Sequence, residues 1–237
     1  MIRNENLTVV IPVRGGSKGI PRKNLYRLGK DTLLERAIKI ALQCDYIDKV
    51  FVSTEDKEMF DIACKYGVNT SRPRPKSLST DYASTIDVLN DLITSYSLNS
   101  GWLLLLQVTS ATRKLEDLNK FCKQFNEASD QFDSSVSLVS FDSPHPDKIQ
   151  QIKNGRVESY LGKNSMVSRQ SLPEVYELNG SFYLAKVQQI RDKKSFFTSN
   201  TLPFVMDINS SINLDNPSDL LYLELLVTKG ILKIEEY

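Results

Sequence analysis

Residues 11–24 read Ile-Pro-Val-Arg-Gly-Gly-Ser-Lys-Gly-Ile-Pro-Arg-Lys-Asn, and this run says more about the fold and its purpose than any other part of the chain. An apolar, β-branched stretch from Leu7 to Ile11 precedes it and predicts a buried strand. Three glycines, Gly15, Gly16 and Gly19, then allow the backbone to turn sharply and to bring its N–H groups close to a ligand. The chain therefore opens with a strand followed by a glycine-rich loop.

The same loop holds four cations, Arg14, Lys18, Arg22 and Lys23. Their mutual repulsion makes this arrangement costly unless an anion fills the loop, and a polyphosphate meets that need. The run lacks the G-x-x-x-x-G-K-S/T pattern of a P-loop and the G-x-G-x-x-G pattern of a dinucleotide fold. The alternative interpretation is an ordinary strand-to-helix junction whose basic side chains are simply solvated.

The composition is that of an ordinary globular protein, with 237 residues, 41% hydrophobic residues, 25% charged residues and a net charge of +1. This length predicts one sizeable α/β domain. A net charge near zero argues against general attraction to nucleic acid or to a membrane surface, so any basic site must be local. No apolar run in the sequence approaches the roughly 20 residues that cross a bilayer.

The N-terminus and the cysteines indicate the compartment. Residues 1–6 lead into a short strand without a small-residue cleavage site, so we do not expect a signal peptide. Cys44, Cys64 and Cys122 are odd in number and widely spaced within helix-like segments, which favours buried free thiols over metal ligands or nucleophiles. Together these features predict a cytoplasmic protein.

Strand and helix patterns alternate along the first 140 residues. The predicted strands are 7–11, 49–53, 102–106 and 135–139, and the predicted helices are 33–42, 56–66, 83–96 and 115–126. Such alternation is typical of a parallel sheet covered by helices on both faces. Ligands of these sheets bind beyond the carboxyl ends of the strands, which is where the loop 14–23 lies.

The alternation of strand and helix patterns ends at Pro144. Two short strand-like pieces, 148–152 and 156–160, are followed by a polar stretch, 162–174, that is too poor in apolar residues to pack on a core of its own. We expect this segment to form an arm. Regular patterning then resumes, with predicted strands at 180–185 and 202–206 and a final helix at 217–227.

Other polar residues stand where elements begin or end. Arg74 lies in a loop before the helix at 83–96, and Ser84 or Thr85 can cap that helix with its hydroxyl. Gln107 and Arg113 follow the apolar strand 102–106 and are placed to project into a site at its carboxyl end.

The run at 11–24 resembles the N-terminal signature of the CMP-N-acetylneuraminate synthetases, the acylneuraminate cytidylyltransferases that activate sialic acids and related nine-carbon acid sugars. The resemblance extends from about Val10 to Asp219. It implies a Rossmann-like, mostly parallel sheet with helices on both faces, of the nucleotide-sugar transferase type. It further implies that residues 1–237 form a single domain with a small inserted dimerisation arm at about 144–178. Members of the family are homodimers in which this arm reaches across to the partner.

The resemblance also implies roles for individual residues. Catalysis and phosphate binding would fall to Arg14, Lys18 and Lys23. Nucleotide contacts would come from Arg14, Gly15, Ser17, Asn24, Arg74, Ala83, Ser84 and Thr85. Contacts to the acid sugar would come from Gln107, Lys148, Arg169, Asn179, Tyr183, Phe196 and Phe197.

Some of these positions have a plainer interpretation, or depart from the family pattern. Phe196 and Phe197 equally suit ordinary core packing. His145, the only histidine, more often packs or caps at a proline turn than acts as a base. Val108 and Ala111 replace two family prolines after Gln107, which makes that loop less rigid.

The metal site departs from the family as well. Transfer of a nucleotidyl group usually needs Mg²⁺ held by carboxylates, and the family carries Asp-Ile-Asp before its last helix. The aligned residues here are Asn213, Leu214 and Asp215, so one carboxylate is replaced by an amide. Asp215 and Asn213 are the metal candidates, and we hypothesise that Asp207 or a second phosphate oxygen supplies the missing ligand. Asp215 could instead serve as a helix N-cap.

These observations predict an enzyme that transfers CMP from CTP to the anomeric hydroxyl of a 2-keto-3-deoxy acid sugar, giving pyrophosphate and no covalent enzyme intermediate. Its substrates would be CTP and a nine-carbon acid sugar, with Mg²⁺ as cofactor and with neither nucleic acid nor membrane as partner. Two alternatives stay open: a CMP-Kdo synthetase, and a catalytically impaired CTP-binding module. The sequence leaves the identity of the acid sugar open.

Overall fold

A computed structural model describes residues 1–17, 19–70, 72–141, 143–163 and 165–237, with the side chain of Arg169 also left out of the description. In chain order the elements are β1 (Leu7–Pro12), β2 (Arg27–Leu28), β3 (Asp31–Thr32), α1 (Leu33–Gln43), β4 (Lys49–Ser53), α2 (Lys57–Lys65), α3 (Thr85–Ser95), β5 (Trp102–Leu105), α4 (Leu115–Glu127), β6 (Ser134–Ser140), β7 (Gln150–Lys153), β8 (Arg156–Ser159), β9 (Tyr176–Lys186), α5 (Val187–Lys193), β10 (Thr201–Met206) and α6 (Pro217–Thr228).

The described chain forms a central sheet of six strands in the order β10-β6-β9-β5-β1-β4. Strand β1 lies between β4 and β5 and runs parallel to both, with Val9 opposite Val50 and Leu104. Such burial explains the unbroken apolar runs of β1 and β5, because a parallel strand inside a sheet is covered on both faces. Strand β9 runs antiparallel between β5 and β6. The predicted mostly parallel sheet is confirmed.

Helices cover both faces of this sheet, as predicted. One core contains the apolar sides of α1, α2, α4 and α6, and the other contains those of α3 and α5. Helix α1 begins with a capping box in which Thr32 and Glu35 satisfy each other's backbone N–H groups. Helix α5 was not predicted from the sequence. The antiparallel direction of β9 was not predicted either, because its apolar pattern does not encode its pairing with β5 and β6.

A separate antiparallel hairpin is formed by β7 and β8, close to the two strand-like pieces predicted from the sequence. Asn154 and Gly155 make its turn with φ angles of 53° and 74°, as a tight two-residue hairpin requires. Its apolar side chains are exposed, with Ile152 82% and Val157 73% accessible. The main sheet resumes with β9 at Tyr176, just inside the predicted end of the arm at 178.

The cysteines are free thiols, as expected, but one of them is not buried. Cys44 and Cys122 are enclosed in the core, whereas Cys64 is exposed on α2, where its thiol lies 3.2 Å from the Thr70 hydroxyl. None of the helices in the described part of the chain has the length and apolar character needed to cross a membrane.

The core beside α4 depends on an aromatic cluster. Phe121 is 1% exposed, stacks on Phe182 at 5.0 Å between ring centroids, and meets the Phe204 ring edge-on at 5.5 Å. We expect Phe121→Ala to lower the free energy of unfolding by about 3–5 kcal/mol, because the cavity it leaves cannot close fully. Urea unfolding measures the change. Tyr82→Ala, at a side chain 98% exposed, is the control and should shift it by less than about 0.5 kcal/mol. Equal shifts in the two variants would contradict this account of the core.

Candidate functional site

A cavity of about 450 Å³ opens at the carboxyl ends of β1 and β5, where the sequence predicted a ligand site. It is enclosed by the glycine-rich loop after β1, the loop before α3, the residues after β5 and the segment before α6. The predicted site residues that line it are Arg14, Ser17, Lys23, Asn24, Arg74, Ala83, Thr85, Gln107, Asn213 and Asp215. Segments distant in sequence thus contribute to one polar cavity. Lys18, another predicted residue of this loop, lies outside the described residues.

The glycines of the loop differ in what surrounds them. A Cβ placed on Gly19 would lie 2.1 Å from the backbone oxygen of Asp215, and one on Gly15 would lie 2.9 Å from a carboxylate oxygen of Asp56. Gly16, which lines the cavity, has no described atom within 4 Å of such a Cβ. Gly19 is therefore required by close packing against the backbone of the segment that carries Asp215, whereas the close neighbour of Gly15 is the Asp56 side chain.

The described cations of the loop are paired with carboxylates of the protein itself. Arg14 lies 2.9 Å from Asp81 and Lys23 lies 3.0 Å from Asp215. Lys23 also donates to the Leu214 carbonyl at 2.5 Å, and its side chain is only 12% exposed. The carboxylates of Asp81 and Asp215 thus offset the expected repulsion between Arg14 and Lys23. A polyphosphate entering the cavity would exchange with these carboxylates.

Two further loop residues, Asn24 and Arg22, make contacts within the protein. Asn24 is buried, and its side-chain amide donates to the Arg14 carbonyl at 3.0 Å, so it braces the loop from inside. Arg22 pairs with Glu58 at 2.5 Å and approaches Asp56, both beside α2. Among the described residues of this loop, Arg22 is a cation that does not line the cavity.

Glu55 links the loop to the opposite wall of the cavity. One of its carboxylate oxygens accepts the Gly15 N–H at 2.8 Å, and the other lies 3.0 Å from the Arg74 guanidinium. Burial raises the pKa of Glu55, but the Gly15 hydrogen bond and the Arg74 charge outweigh it, so the pKa lies below its ordinary value. Arg74 is buried and also donates to the Val13 carbonyl. Burial lowers the pKa of Arg74, while the Glu55 charge opposes the shift.

The start of α3 agrees with the capping interpretation for Ser84. Its hydroxyl oxygen accepts the Asp87 N–H at 3.1 Å, and its hydroxyl donates to the Asp87 carboxylate at 2.7 Å. Ala83 and Thr85, on either side of it, line the cavity. Ser84 is thus committed to the helix terminus, and its predicted nucleotide contact stays a prediction.

Gln107 lines the cavity, but Arg113 does not project into it. Arg113 is 2% exposed and donates to the carbonyls of Gln107 at 3.1 Å and Ser181 at 3.0 Å. Burial lowers its pKa to about 10. The expectation that Arg113 faces the ligand is wrong, because the inward-facing carbonyls of Gln107, after β5, and of Ser181, in β9, need a donor there. Gly180, with φ of 74°, leaves room for the Gln107 amide, since a Cβ would lie 2.6 Å from its oxygen.

Asn213 and Asp215, the metal candidates, lie side by side at one end of the cavity. The Asn213 amide donates to one Asp215 carboxylate oxygen, and the Asn213 oxygen is buried with no hydrogen-bond partner among the described residues. An unsatisfied buried oxygen beside a carboxylate fits a hard cation such as Mg²⁺. Across the described chain, no group of three His, Cys, Asp or Glu side chains is arranged to hold a metal ion. A cation here would thus take its remaining ligands from phosphate oxygens and water.

The sequence offered Asp215 as a helix cap and Asp207 as a further metal ligand. Asn216, not Asp215, caps α6, with its side chain accepting the N–H groups of Ser218 and Asp219. The capping interpretation of Asp215 is therefore wrong, and its carboxylate is instead bound to the Lys23 ammonium and the Asn213 amide. Asp207 caps a short 3-10 turn by accepting the Asn209 N–H at 2.8 Å, and it does not line the cavity.

Most of the predicted sugar residues are held elsewhere. Lys148 donates to the backbone carbonyls of Ser165 and Val167 within the 144–174 segment. Asn179 is buried; its side-chain oxygen accepts the Ser137 hydroxyl at 2.6 Å, and its NH₂ group donates to the Ser211 hydroxyl at 3.0 Å. His145 is buried as well, and accepts the Asp147 N–H as the cap of a 3-10 turn.

The aromatic residues predicted to contact the sugar also lie outside the cavity. Tyr183 packs on Phe196 at 5.6 Å between ring centroids, and burial raises the Tyr183 pKa. Phe196 is 6% exposed within the core, and Phe197 is half exposed. Of the predicted sugar residues that the structure describes, only Gln107 lines the cavity. The side chain of Arg169 lies outside the described residues. The sugar-binding roles of this set stay predictions.

A second groove, of about 650 Å³, adjoins the cavity and shares Asn213 with it. Its apolar wall consists of Val139, Phe141, Met206, Ile208, Ile212 and Tyr222. Two carboxylates, Glu177 and Asp219, also line it. The groove extends the site beyond the metal candidates, along the side of the sheet formed by β6, β9 and β10.

The sequence reasoning missed Glu55 and Asp81. Glu55 follows β4 and so lies at the same edge of the sheet as the glycine-rich loop, a position that a strand prediction already implied. Asp81 lies in the exposed turn before α3, and no pattern in the sequence distinguishes it from a solvated surface residue.

Comparison with known proteins agrees with this geometry. The sequence model of the family described as cytidylyltransferase matches residues 8–224. A CMP-N,N'-diacetyllegionaminic acid synthase from Legionella pneumophila is 32% identical over 225 residues, covering 93% of this chain and 96% of the relative. An N-acylneuraminate cytidylyltransferase from Streptococcus agalactiae is 30% identical over 217 residues and 90% of this chain. That alignment covers 51% of the relative, so the chain spans about half of its length.

Solved structures show the same fold. The structure of a CMP:2-keto-3-deoxy-manno-octonic acid synthetase complexed with CTP superposes with a TM-score of 0.67, covering 95% of this chain and 99% of that one. The two sequences are 13% identical, so the likeness concerns the fold alone.

The contact between Gly19 and Asp215 can be tested directly. We expect Gly19→Ala to destabilise the protein by about 1–3 kcal/mol, because the new Cβ must displace the Asp215 backbone. Gly16→Ala, where the space is open, should change stability by less than about 0.5 kcal/mol. Urea unfolding of both variants measures the difference. A Gly19→Ala variant as stable as Gly16→Ala would show that the loop does not rest on this segment.

Proposed function

The chain belongs to the cytidylyltransferase family, and from this premise we propose that it transfers CMP from CTP to the anomeric hydroxyl of a sialic-acid-type 2-keto-3-deoxy acid sugar, releasing pyrophosphate. The observation that carries the proposal is the cavity, in which Arg14, Lys23 and Asn24 of the glycine-rich loop meet Asp215 and Asn213. Relatives named for N,N'-diacetyllegionaminic acid and for N-acylneuraminate support the substrate class.

In this proposal the triphosphate replaces the carboxylates that hold the loop's cations. Arg14 would leave Asp81, and Lys23 would leave Asp215, each to bind phosphate oxygens, with Lys18 as a third cation of the loop. The sugar hydroxyl oxygen attacks the α-phosphorus in line while its proton passes to water, a new P–O bond forms, and the bond to the pyrophosphate oxygen breaks so that pyrophosphate leaves. The residues contribute positioning and charge, and no covalent enzyme intermediate is needed.

The base and ribose would lie against the wall formed by Arg74, Ala83 and Thr85, with Gly15, Ser17 and Ser84 close by. Support comes from their shared cavity: Arg74, Ala83 and Thr85 line it together with Ser17. The Gly15 N–H donates to Glu55, so Gly15 would contact the phosphate by van der Waals approach of its backbone and not through this hydrogen bond.

We propose one Mg²⁺ held by Asp215 and the Asn213 oxygen, with phosphate oxygens completing its ligands. The support is the buried, unpartnered Asn213 oxygen next to the exposed Asp215 carboxylate. When bound, the ion would neutralise charge on the α-phosphate and on the departing pyrophosphate. The lysine that leaves Asp215 for the triphosphate would free that carboxylate for the metal.

The acid sugar would lie against Gln107, with its carboxylate and acylamino groups met by Lys148, Arg169, Asn179, Tyr183, Phe196 and Phe197. In one chain Lys148 is bound to its own arm, away from the cavity. We therefore propose a homodimer in which the arm at 144–178 reaches the site of the partner, which would bring cations of the arm to the sugar.

The exposed arm supports this dimer. The side chains of Ile152, Val157 and Met166 are 82%, 73% and 90% accessible, an apolar surface that a monomer would leave in water. The groove beside Asn213 is apolar with acidic residues at its edge, and the arm carries apolar and basic residues. We further propose that the protein works in the cytoplasm, where thiols such as the free Cys44, Cys64 and Cys122 stay reduced.

The proposal is tested by pyrophosphate release from CTP and Mg²⁺ with N-acetylneuraminate, legionaminate, pseudaminate and Kdo in turn. Release with one nine-carbon acid supports the proposal and names the substrate. Release with Kdo alone would identify the CMP-Kdo synthetase instead. CTP binding without release on any sugar would favour the impaired CTP-binding module.

The metal site gives a sharper prediction. Asn213→Asp adds a carboxylate, so we expect the Mg²⁺ concentration for half-maximal turnover to fall on the order of tenfold, because ligand charge tunes affinity in oxygen sites. Asp207→Asn is the matched control, since asparagine caps a turn as well as aspartate does and the requirement should not change. Mg²⁺ titration of the rate measures both. An unchanged requirement in Asn213→Asp would place the metal elsewhere.

If the arm forms the dimer interface, a charge on its apolar surface should disrupt the dimer. Val157→Arg should convert the dimer to a monomer, because it places a cation in the apolar surface proposed to be covered. Leu42→Arg, at a half-exposed apolar residue of α1, should leave the dimer intact. Light scattering coupled to gel filtration gives the mass of each. Wild-type protein that runs as a monomer would refute the dimer.

A further inference from the structure

We propose that Glu55, which no part of the proposed reaction uses, is a positioning residue that locks the phosphate-binding loop and the base-side arginine into one unit. The inference rests on the proposed function. It adds that binding at the two ends of the nucleotide depends on a single carboxylate placed between them.

The geometry of Glu55 is that of a bridge. One carboxylate oxygen accepts the Gly15 N–H at 2.8 Å, and the other lies 3.0 Å from a terminal nitrogen of Arg74. The same nitrogen of Arg74 donates to the carbonyl of Val13, two residues before Gly15. A closed ring of contacts therefore runs from the loop through Glu55 and Arg74 back to the loop.

The backbone around Glu55 makes the bridge rigid. The Val13 N–H donates to the Ser53 carbonyl at 2.9 Å, which continues the pairing of β1 with β4. The Arg74 N–H donates to the Thr54 carbonyl at 2.8 Å. The loop, through Val13, and Arg74 are thus tied to Ser53 and Thr54, the two residues before Glu55, so its carboxylate is presented to both in a fixed place.

Glu55 acts through its neighbours and does not reach the ligand. Arg74 lines the cavity, as do Arg14 and Gly16 on either side of Gly15, whereas Glu55 is not among the described residues that line it. Arg74 is 7% exposed, and its Nε has no partner within the described chain. Without Glu55 the guanidinium would lose its carboxylate and, among the described residues, keep the Val13 carbonyl as its acceptor, so its orientation and that of the loop would loosen together.

The experiment measures two probes that each report on one end of the site. Inorganic triphosphate engages the loop, and CMP engages the base side with a single phosphate. In the full-length chain, we expect Glu55→Gln to weaken the binding of both probes by about tenfold, since hydrogen bonds to charged groups are the stronger ones. Isothermal titration gives the two affinities, and CTP kinetics should show a raised KM with kcat changed less than about threefold.

Matched variants separate positioning from stability. Glu58→Gln removes a carboxylate from the exposed pair with Arg22, three residues further on, and should bind both probes as the wild type does. Glu55→Asp keeps the charge on a shorter side chain and should weaken both probes by about threefold. This variant also answers the question if Glu55→Gln does not fold.

The outcomes are distinct. Loss of affinity for only one probe would overturn the bridge, and so would wild-type affinity for both in Glu55→Gln or, should that variant not fold, in Glu55→Asp. A wild-type protein that binds neither CTP nor triphosphate would instead refute the proposed function, whatever the variants do.

Discussion

Gly19 lies so close to the backbone oxygen of Asp215 that no side chain fits between them, and the site depends on this contact. It joins the first loop of the chain to the segment before the last helix, which are nearly two hundred residues apart in sequence. Lys23 reinforces the junction by donating to Leu214 and pairing with Asp215. The cations of the loop and the candidate metal ligands therefore face one cavity because the backbone itself is in contact.

Charge balance explains how such a loop exists in a protein with a net charge of +1. Asp81, Asp215 and Glu55 each lie about 3 Å from a cation of the site. In the first two pairs the carboxylates of Asp81 and Asp215 reach solvent, and pairs open to water contribute little stability, so a polyanion can exchange with these carboxylates at low cost. Glu55 differs because its side chain is largely buried and also accepts a backbone N–H. We therefore expect Glu55 to keep its contacts while the pairs of Asp81 and Asp215 open.

Much of the fold could be predicted because strands such as β1 and β5 are buried on both faces and appear as unbroken apolar runs. The position of the site followed from the glycines and cations after β1. The antiparallel direction of β9 could not be predicted, since an apolar run carries no information on strand direction. Arg113 was placed wrongly because burial of an arginine depends on inward-facing carbonyls that only the folded chain reveals.

The residues expected to meet the sugar show the limit of reasoning from a single chain. Asn179 and Phe196 are satisfied within the core, and Lys148 is bound to its own arm. In the proposed dimer the contacts that complete the sugar site would come from another molecule, and no local pattern within one sequence reports such contacts.

We propose that this cavity binds CTP by exchanging its internal ion pairs for the triphosphate. A crystal structure of the protein with CTP and Mg²⁺, without acid sugar, tests it most directly. The account predicts the triphosphate within the glycine-rich loop, with Arg14 released from Asp81 and Lys23 released from Asp215. CTP bound elsewhere, or bound in the cavity with both pairs intact, would contradict it.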